Sequence, residues 1–262
     1  MIGLKGKRAL VSAASSGIGM GIARVLSAYG VSVHIFSRNS ERVSAAAEML
    51  SRETGNRVSY SAADLTRRED LERVFKESEN ELGSLPDFLI INYGDPRVAP
   101  FLDLTDDDWD YSIDLILKSS VFMVKRSLPH MMKHGGRIVF VTSLTTKEPL
   151  KNFALSASLR SAVVSLSKVI SLEYSEHGIT SNSISQGYVM TQRLENIARM
   201  SSEKQNVPID KIYEDMKSTV PSRRFGRPEE IGELVAFLCS DAASYINGVN
   251  LQIDGGFVKF PF

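Results

Sequence analysis

Between Ser12 and Gly19 the chain reads Ser-Ala-Ala-Ser-Ser-Gly-Ile-Gly. A backbone that must lie against a pyrophosphate needs small residues of this kind, followed by a helix whose first N–H groups are unpaired. Ser12, Ser15, Ser16, Gly17, Ile18 and Gly19 are therefore candidate nucleotide contacts. About 20 residues further on, a NAD site places an acid at the end of the next strand. Ser37-Arg38 stands there instead. A carboxylate would hold ribose hydroxyls and repel a phosphate, whereas a guanidinium matches a 2′-phosphate. NADP(H) is favoured over NAD(H).

Two further places face the same ligand. Asp64-Leu65 follows the third strand and is placed to reach an adenine edge, with capping of a turn as the alternative use of Asp64. Asn92 and Gly94 end the fourth strand, where crevices of parallel sheets bind ligands. No metal site is expected. His130 and His134 are four residues apart near a helix end that favours positive charge, and no third ligand accompanies them. Asp106, Asp107 and Asp108 belong in a helix first turn, where the dipole favours carboxylates.

Alternating strands and helices must carry these residues. Ala9–Val11, 31–36, 58–62, 88–91, 137–141, 180–184 and 249–253 read as strands, the uninterrupted Phe88-Leu89-Ile90-Ile91 being covered on both faces. Helices are expected after the glycine turn, from Ser40, from Thr66 (capped by a Thr66/Glu69 box), from near Thr105, over 152–177, and over 228–239. This is a single α/β domain over residues 1–262, a Rossmann-type doubly wound parallel sheet of seven strands. Residues 190–224 break the rhythm. They are too long for a connection and carry two short amphipathic patterns, so a lid over a substrate cleft is expected.

The chain has 262 residues, 43% of them hydrophobic, and a formal net charge of zero. Such a balance gives no reason to expect a nucleic-acid or membrane surface. The single cysteine, Cys239, suits a reducing cytoplasm, and no apolar run is read as membrane-spanning. The expected partner is a small-molecule substrate.

Taken together, the motifs resemble the short-chain dehydrogenase/reductase (SDR) family, particularly its 3-oxoacyl-carrier-protein-reductase-like members, over essentially the whole length. Ser12 to Gly19 stands for Thr-Gly-x-x-x-Gly-Ile-Gly, Ile91-Asn92-Tyr93-Gly94 for Asn-Asn-Ala-Gly, and Asn182 to Gly187 for Asn-x-x-x-Pro-Gly. Arg227-Pro228-Glu229-Glu230 and Ile253-Asp254-Gly255-Gly256 also match. The resemblance implies nicotinamide contacts at Gly187, Val189 and Thr191. It also implies a homo-oligomer, a tetramer or a dimer, built through the long helices 105–132 and 152–177 and the apolar ending Phe257 to Phe262.

The family's chemistry rests on Asn, Ser, Tyr and Lys, which fall here on Ile116, Ser143, Ser156 and Arg160. Three of the four have changed chemical type. A serine hydroxyl is far less acidic than a phenol, and arginine cannot relay protons, though it can hold ribose or phosphate. Ser156 and Arg160 share a helix face. Tyr93, Tyr188 and Lys147 are substitute acids to weigh. The resemblance thus implies an NADP(H)-dependent oxidoreductase acting on a carbonyl or alcohol with altered proton delivery. The alternatives are a nucleotide-binding sensor or scaffold without redox turnover, and a lyase or epimerase that retains the nucleotide.

Overall fold

A computed structural model describes residues 3–260. Met1, Ile2, Pro261 and Phe262 lie outside the described residues, and with them part of the apolar ending. In chain order the elements are β1 (Arg8–Ser12), α1 (Gly17–Ala28), β2 (Ser32–Ser37), α2 (Ser40–Thr54), β3 (Val58–Ala62), α3 (Arg68–Leu82) and β4 (Phe88–Ile91). Then follow α4 (Asp106–Ser112), α5 (Ser119–His134), β5 (Gly136–Val141), α6 (Ala154–Tyr174) and β6 (Ile179–Gln186). The C-terminal part supplies α7 (Gln192–Gln205), α8 (Ile209–Thr219), α9 (Pro228–Cys239) and β7 (Asn250–Ile253).

The seven strands form one parallel sheet in the order β3-β2-β1-β4-β5-β6-β7. The order reverses between β1 and β4, which opens a crevice at their carboxyl ends. Apolar side chains alternate to the two faces. Ala9, Val11, Val33 and Ile90 join α1, α2 and α9 on one side; Leu10, Phe36, Leu89 and Ile91 join α3, α5 and α6 on the other. The expected seven-stranded doubly wound parallel sheet is what forms, and residues 190–224 carry α7 and α8.

Three local expectations need correction. The Thr66/Glu69 capping box does not form. Asp64 Oδ1 accepts from both the Thr66 N–H and its hydroxyl, and α3 begins two residues later without a side-chain cap. The helix from Thr105 does start with a capping box, Thr105 with Asp108. Its middle, Ile113–Lys118, is then wound as a π-helix before α5 continues it. The Ser119 and Ser120 hydroxyls donate to the Leu115 and Ile116 carbonyls there, competing with the regular ladder. Finally, the stretch Ala154–His177 is long and apolar enough to cross a membrane by length and composition. It is a core helix of the sheet, with Leu155, Val163 and Ile170 buried.

Candidate functional site

The phosphate end of the crevice is built by the turn between β1 and α1. Ala13 and Gly17 adopt φ of +49° and +56°. A Cβ placed on Gly19 would meet the Ala13 oxygen at 2.5 Å and the Ala14 Cα at 2.8 Å, so only glycine lets the turn fold this closely. Ser16 precedes α1 in extended conformation, and its side chain caps nothing. The first N–H groups of α1 are left for a ligand, which is the arrangement a pyrophosphate requires.

Ser15 Oγ donates to Ser37 Oγ at 2.9 Å, tying the turn to the end of β2. Arg38 follows, exposed, its Nη1 donating to the Tyr111 hydroxyl at 3.1 Å. Asn92 Nδ2 donates to the Ala13 carbonyl at 3.1 Å. Thr191, the N-cap of α7, lays its methyl 3.3 Å from where a Gly17 Cβ would be, so the start of α7 reaches the glycine turn. Val189 bridges to Gly226 and is buried. Gly187 is packed so tightly on Asp254 that a Cβ would lie 2.7 Å from the Asp254 Cα. Gly94 faces Leu115.

Four of the expected contacts already have hydrogen-bond or packing partners. Ser12 is fully buried, and its hydroxyl joins β1 to β4 by donating to the Asn92 carbonyl at 2.6 Å and accepting from the Asn92 N–H at 2.9 Å. Asp64 Oδ1 serves its own turn, and the Leu65 side chain is buried in the core. Ile18 packs against the other core layer.

The opposite end gathers hydroxyls and one guanidinium. Ser143, just after β5, accepts at Oγ from the Thr145 N–H at 3.2 Å. Ser156 and Arg160 sit one turn apart on α6, at 6% and 7% exposure, so neither faces bulk solvent. Ser156 Oγ lies 3.4 Å from Thr145 Oγ1. Arg160 Nη1 donates to the Val141 carbonyl at 3.0 Å, while its Nε is buried with no partner. The guanidinium carbon stands 5.2 Å from the centre of the Tyr93 ring. Burial opposes its charge and lowers its pKa, with Asp95 acting against that trend.

The substitute acids separate on geometry. Tyr93 is buried and shares a 2.7 Å hydrogen bond with Ser120, and burial pushes its phenol well above the ordinary value. Tyr188 packs edge-on against Phe225 and Phe257, and burial raises its pKa also. Lys147 is half-buried beyond Ser143. Ile116 is fully buried within the π-helical segment. His130 and His134 stack at 4.7 Å, and no cluster of three metal-ligating side chains exists among the described residues.

Comparison with known proteins decides the family. The profile described as Enoyl-(Acyl carrier protein) reductase matches residues 12–258. The oxidoreductase UcpA of Escherichia coli K12 is 36% identical over 97% of this chain and 95% of its own. The human dehydrogenase/reductase SDR family member 4 is 32% identical over 97% and 88%. The chain belongs to the short-chain dehydrogenase/reductase family. Among solved SDR structures, L-sorbose reductase of Gluconobacter frateurii, complexed with NADPH and L-sorbose, superposes with a TM-score of 0.94. That match covers 99% of both chains at 26% identity.

Within this SDR cleft, two residues escape sequence reasoning. Thr145 brings its hydroxyl to Ser156, and Glu148, in the same loop, has a buried Oε2 without a partner. Neither has a spacing signal, because the loop between β5 and α6 folds back in short turns. Glu148 N–H and Lys147 N–H both return to the Leu144 carbonyl.

Proposed function

We propose that this chain is an NADP(H)-dependent oxidoreductase acting on a small carbonyl or alcohol, in which the Ser156 hydroxyl and the Arg160 guanidinium occupy the positions of the family's tyrosine and lysine. The observation that carries the cofactor choice is Arg38. It stands exposed at the end of β2, bonded only to Tyr111 among the described residues, with Ser37 where a ribose-binding acid would be. The NADPH complex of L-sorbose reductase supports the same choice.

The first turn of α1 would hold the pyrophosphate, Arg38 the 2′-phosphate, and Gly187, Val189 and Thr191 the nicotinamide end. When bound, the cofactor supplies or accepts hydride. Ser143 and Ser156 then donate hydrogen bonds to the substrate oxygen, Thr145 orients Ser156, and Arg160 places a fixed positive charge beneath the reacting end. None of these is a strong general acid, so carbonyl reduction is slow by family standards. Asp64 and Leu65, in the turn after β3, would lie along the adenine edge.

Fluorescence titration with NADPH and NADH is the test. Tighter NADPH binding, lost selectively in Arg38→Asp, supports the reading, and equal or tighter NADH binding overturns it. We further propose assembly as a homotetramer or homodimer in the cytoplasm. Val169 and Leu172 are 47% and 71% exposed on α6, an apolar face suited to a second copy. A monomer by light scattering at micromolar concentration overturns that.

A further inference from the structure

Arg160 carries more charge than its surroundings answer. The side chain is more than nine-tenths buried. It makes one hydrogen bond, to the Val141 carbonyl, and leaves Nε unpartnered. Among the described residues no carboxylate lies within ion-pair distance of it. The Tyr93 ring face at 5.2 Å offers partial compensation. A buried cation is stable when paired, and an unpaired one is a vacancy in the electrostatics of the site.

The lid adds a second guanidinium to the same region. Arg193, in the first turn of α7, holds Asp95 at 2.6 Å, and Asp95 lies in the loop after β4, two residues beyond Tyr93. Asp95 and Arg193 both act on the charge of Arg160. Asp95 is thus already paired with the lid, and Arg160 has no carboxylate of its own within ion-pair distance among the described residues. One positive charge is left uncompensated.

The cofactor does not supply the missing anion. Its phosphates belong at the α1 N-terminus after β1 and at Arg38 after β2. Arg160 is fixed to the end of β5, on the far side of β4. With neighbouring strands about 4.8 Å apart, β5 stands roughly 10 Å from β1 across the sheet. A ribose hydroxyl could satisfy Nε but brings no charge. The remaining source is the substrate.

We propose that Arg160 is a specificity-determining residue that binds a carboxylate on the substrate, so that this SDR acts on an oxo acid or hydroxy acid rather than a neutral ketone. The assignment rests on the reading of this crevice as the site of a nicotinamide-dependent carbonyl reaction. It names the class of molecule that reaction takes.

The probe pair is acetoacetate and acetoacetamide, nearly equal in shape and different by one charge. Each is titrated calorimetrically into the protein alone and into protein saturated with NADP+, where no reduction takes place. Acetoacetate is expected to bind at least tenfold more tightly than the amide. In Arg160→Gln that preference falls to about one, and in Arg160→Lys part of it returns. Far-UV circular dichroism verifies that each variant is folded, and the NADPH titration reads any change at the nucleotide site separately from the change in probe preference. Equal binding of the two probes to wild type overturns the proposal without need of a variant. So does a preference that survives Arg160→Gln, or a loss of NADPH affinity in that variant with acetoacetate binding unchanged. Absence of NADPH binding in wild type is a separate result and overturns the cofactor reading instead.

Discussion

Asn92 and Ala13 meet across the sheet, the Asn92 Nδ2 donating at 3.1 Å to the carbonyl of a residue held at φ +49°. The SDR glycine position is thus occupied by a residue with a Cβ in left-handed backbone, anchored by the side chain that ends β4. Left-handed backbone costs a residue with a Cβ about 1–2 kcal/mol, and glycine loses about 0.5–1 kcal/mol more entropy on folding than alanine. Ala13→Gly is expected to leave stability within about 1 kcal/mol of wild type. Ala13→Val adds β-branching to the same backbone and should destabilise by about 2 kcal/mol or more. Urea unfolding of the pair measures both; a valine variant as stable as wild type contradicts the strained turn.

Gly19→Ala addresses the closeness of that turn. Its Cβ would press on the Ala13 oxygen at 2.5 Å and the Ala14 Cα at 2.8 Å, both backbone. NADPH affinity should fall by at least tenfold, with a loss of thermal stability. Retained affinity would show that the turn has room the geometry denies.

Tyr93→Phe separates a buried phenol from a catalytic one. The hydroxyl shares its bond with Ser120, away from the hydroxyl group formed by Ser143, Thr145 and Ser156. The expected cost is about 1 kcal/mol of stability, with turnover unchanged. A fall in turnover of tenfold or more would make Tyr93 the proton donor.

Acid sensitivity should centre on His34. Its ring is fully buried between Ser59 and Ser61, bonded at 2.9 and 2.8 Å, and Ser61 in turn donates to Glu77. Burial lowers its pKa from 6.5 to about 4. The unfolded chain then binds the proton more readily than the folded one. Stability is full above pH 6.5 and is lost as pH falls through 6.5 toward 4. Between pH 7 and pH 5 this group alone removes about 2 kcal/mol. His34→Gln, compared by urea unfolding at both values, should show a shallower loss; an unchanged slope refutes the assignment.

Restoring the family residues tests the proposed chemistry. Ser156→Tyr/Arg160→Lys, with or without Ile116→Asn, supplies a phenol, an ammonium group and an amide where the family has them. With NADPH and neutral ketones, the restored chain should turn over about 10²-fold faster than wild type. Brisk wild-type reduction that Ser156→Tyr abolishes would instead give Ser156 a working chemistry of its own.

The sequence made β3, β4 and α9 legible at both ends, because short apolar runs and a proline at a helix start leave few alternatives. It also made the glycine turn, Ser37-Arg38 and the two-helix lid legible. The Thr66 cap was lost to a nearer competitor, since Asp64 reaches both donors of Thr66 before any helix forms. The π-helical segment was hidden because no spacing marks Ser119 and Ser120, which are buried and bond backwards to Leu115 and Ile116. The resemblance puts Arg160 at the family's lysine position, but spacing alone fits a solvated arginine as well as half of a polar pair with Ser156. Only the approach of β5 and Tyr93 from other parts of the chain reveals that it is enclosed.

Helices α1 and α9 touch through residues almost without side chains. A Cβ on Gly21 would meet Pro228 at 2.5 Å, and one on Gly232 would meet the Gly21 oxygen at 2.8 Å. The helix that begins the phosphate turn is therefore seated by a segment synthesised some 200 residues after it. Its proper tilt is unavailable to a nascent chain that ends before α9. At synthesis rates of about 5–20 residues per second, the turn waits on the order of ten seconds or more for its support. The proposed nucleotide binding should therefore depend on α9, and a C-terminal truncation before Pro228 is expected to remove it while leaving Ser12 to Gly19 untouched.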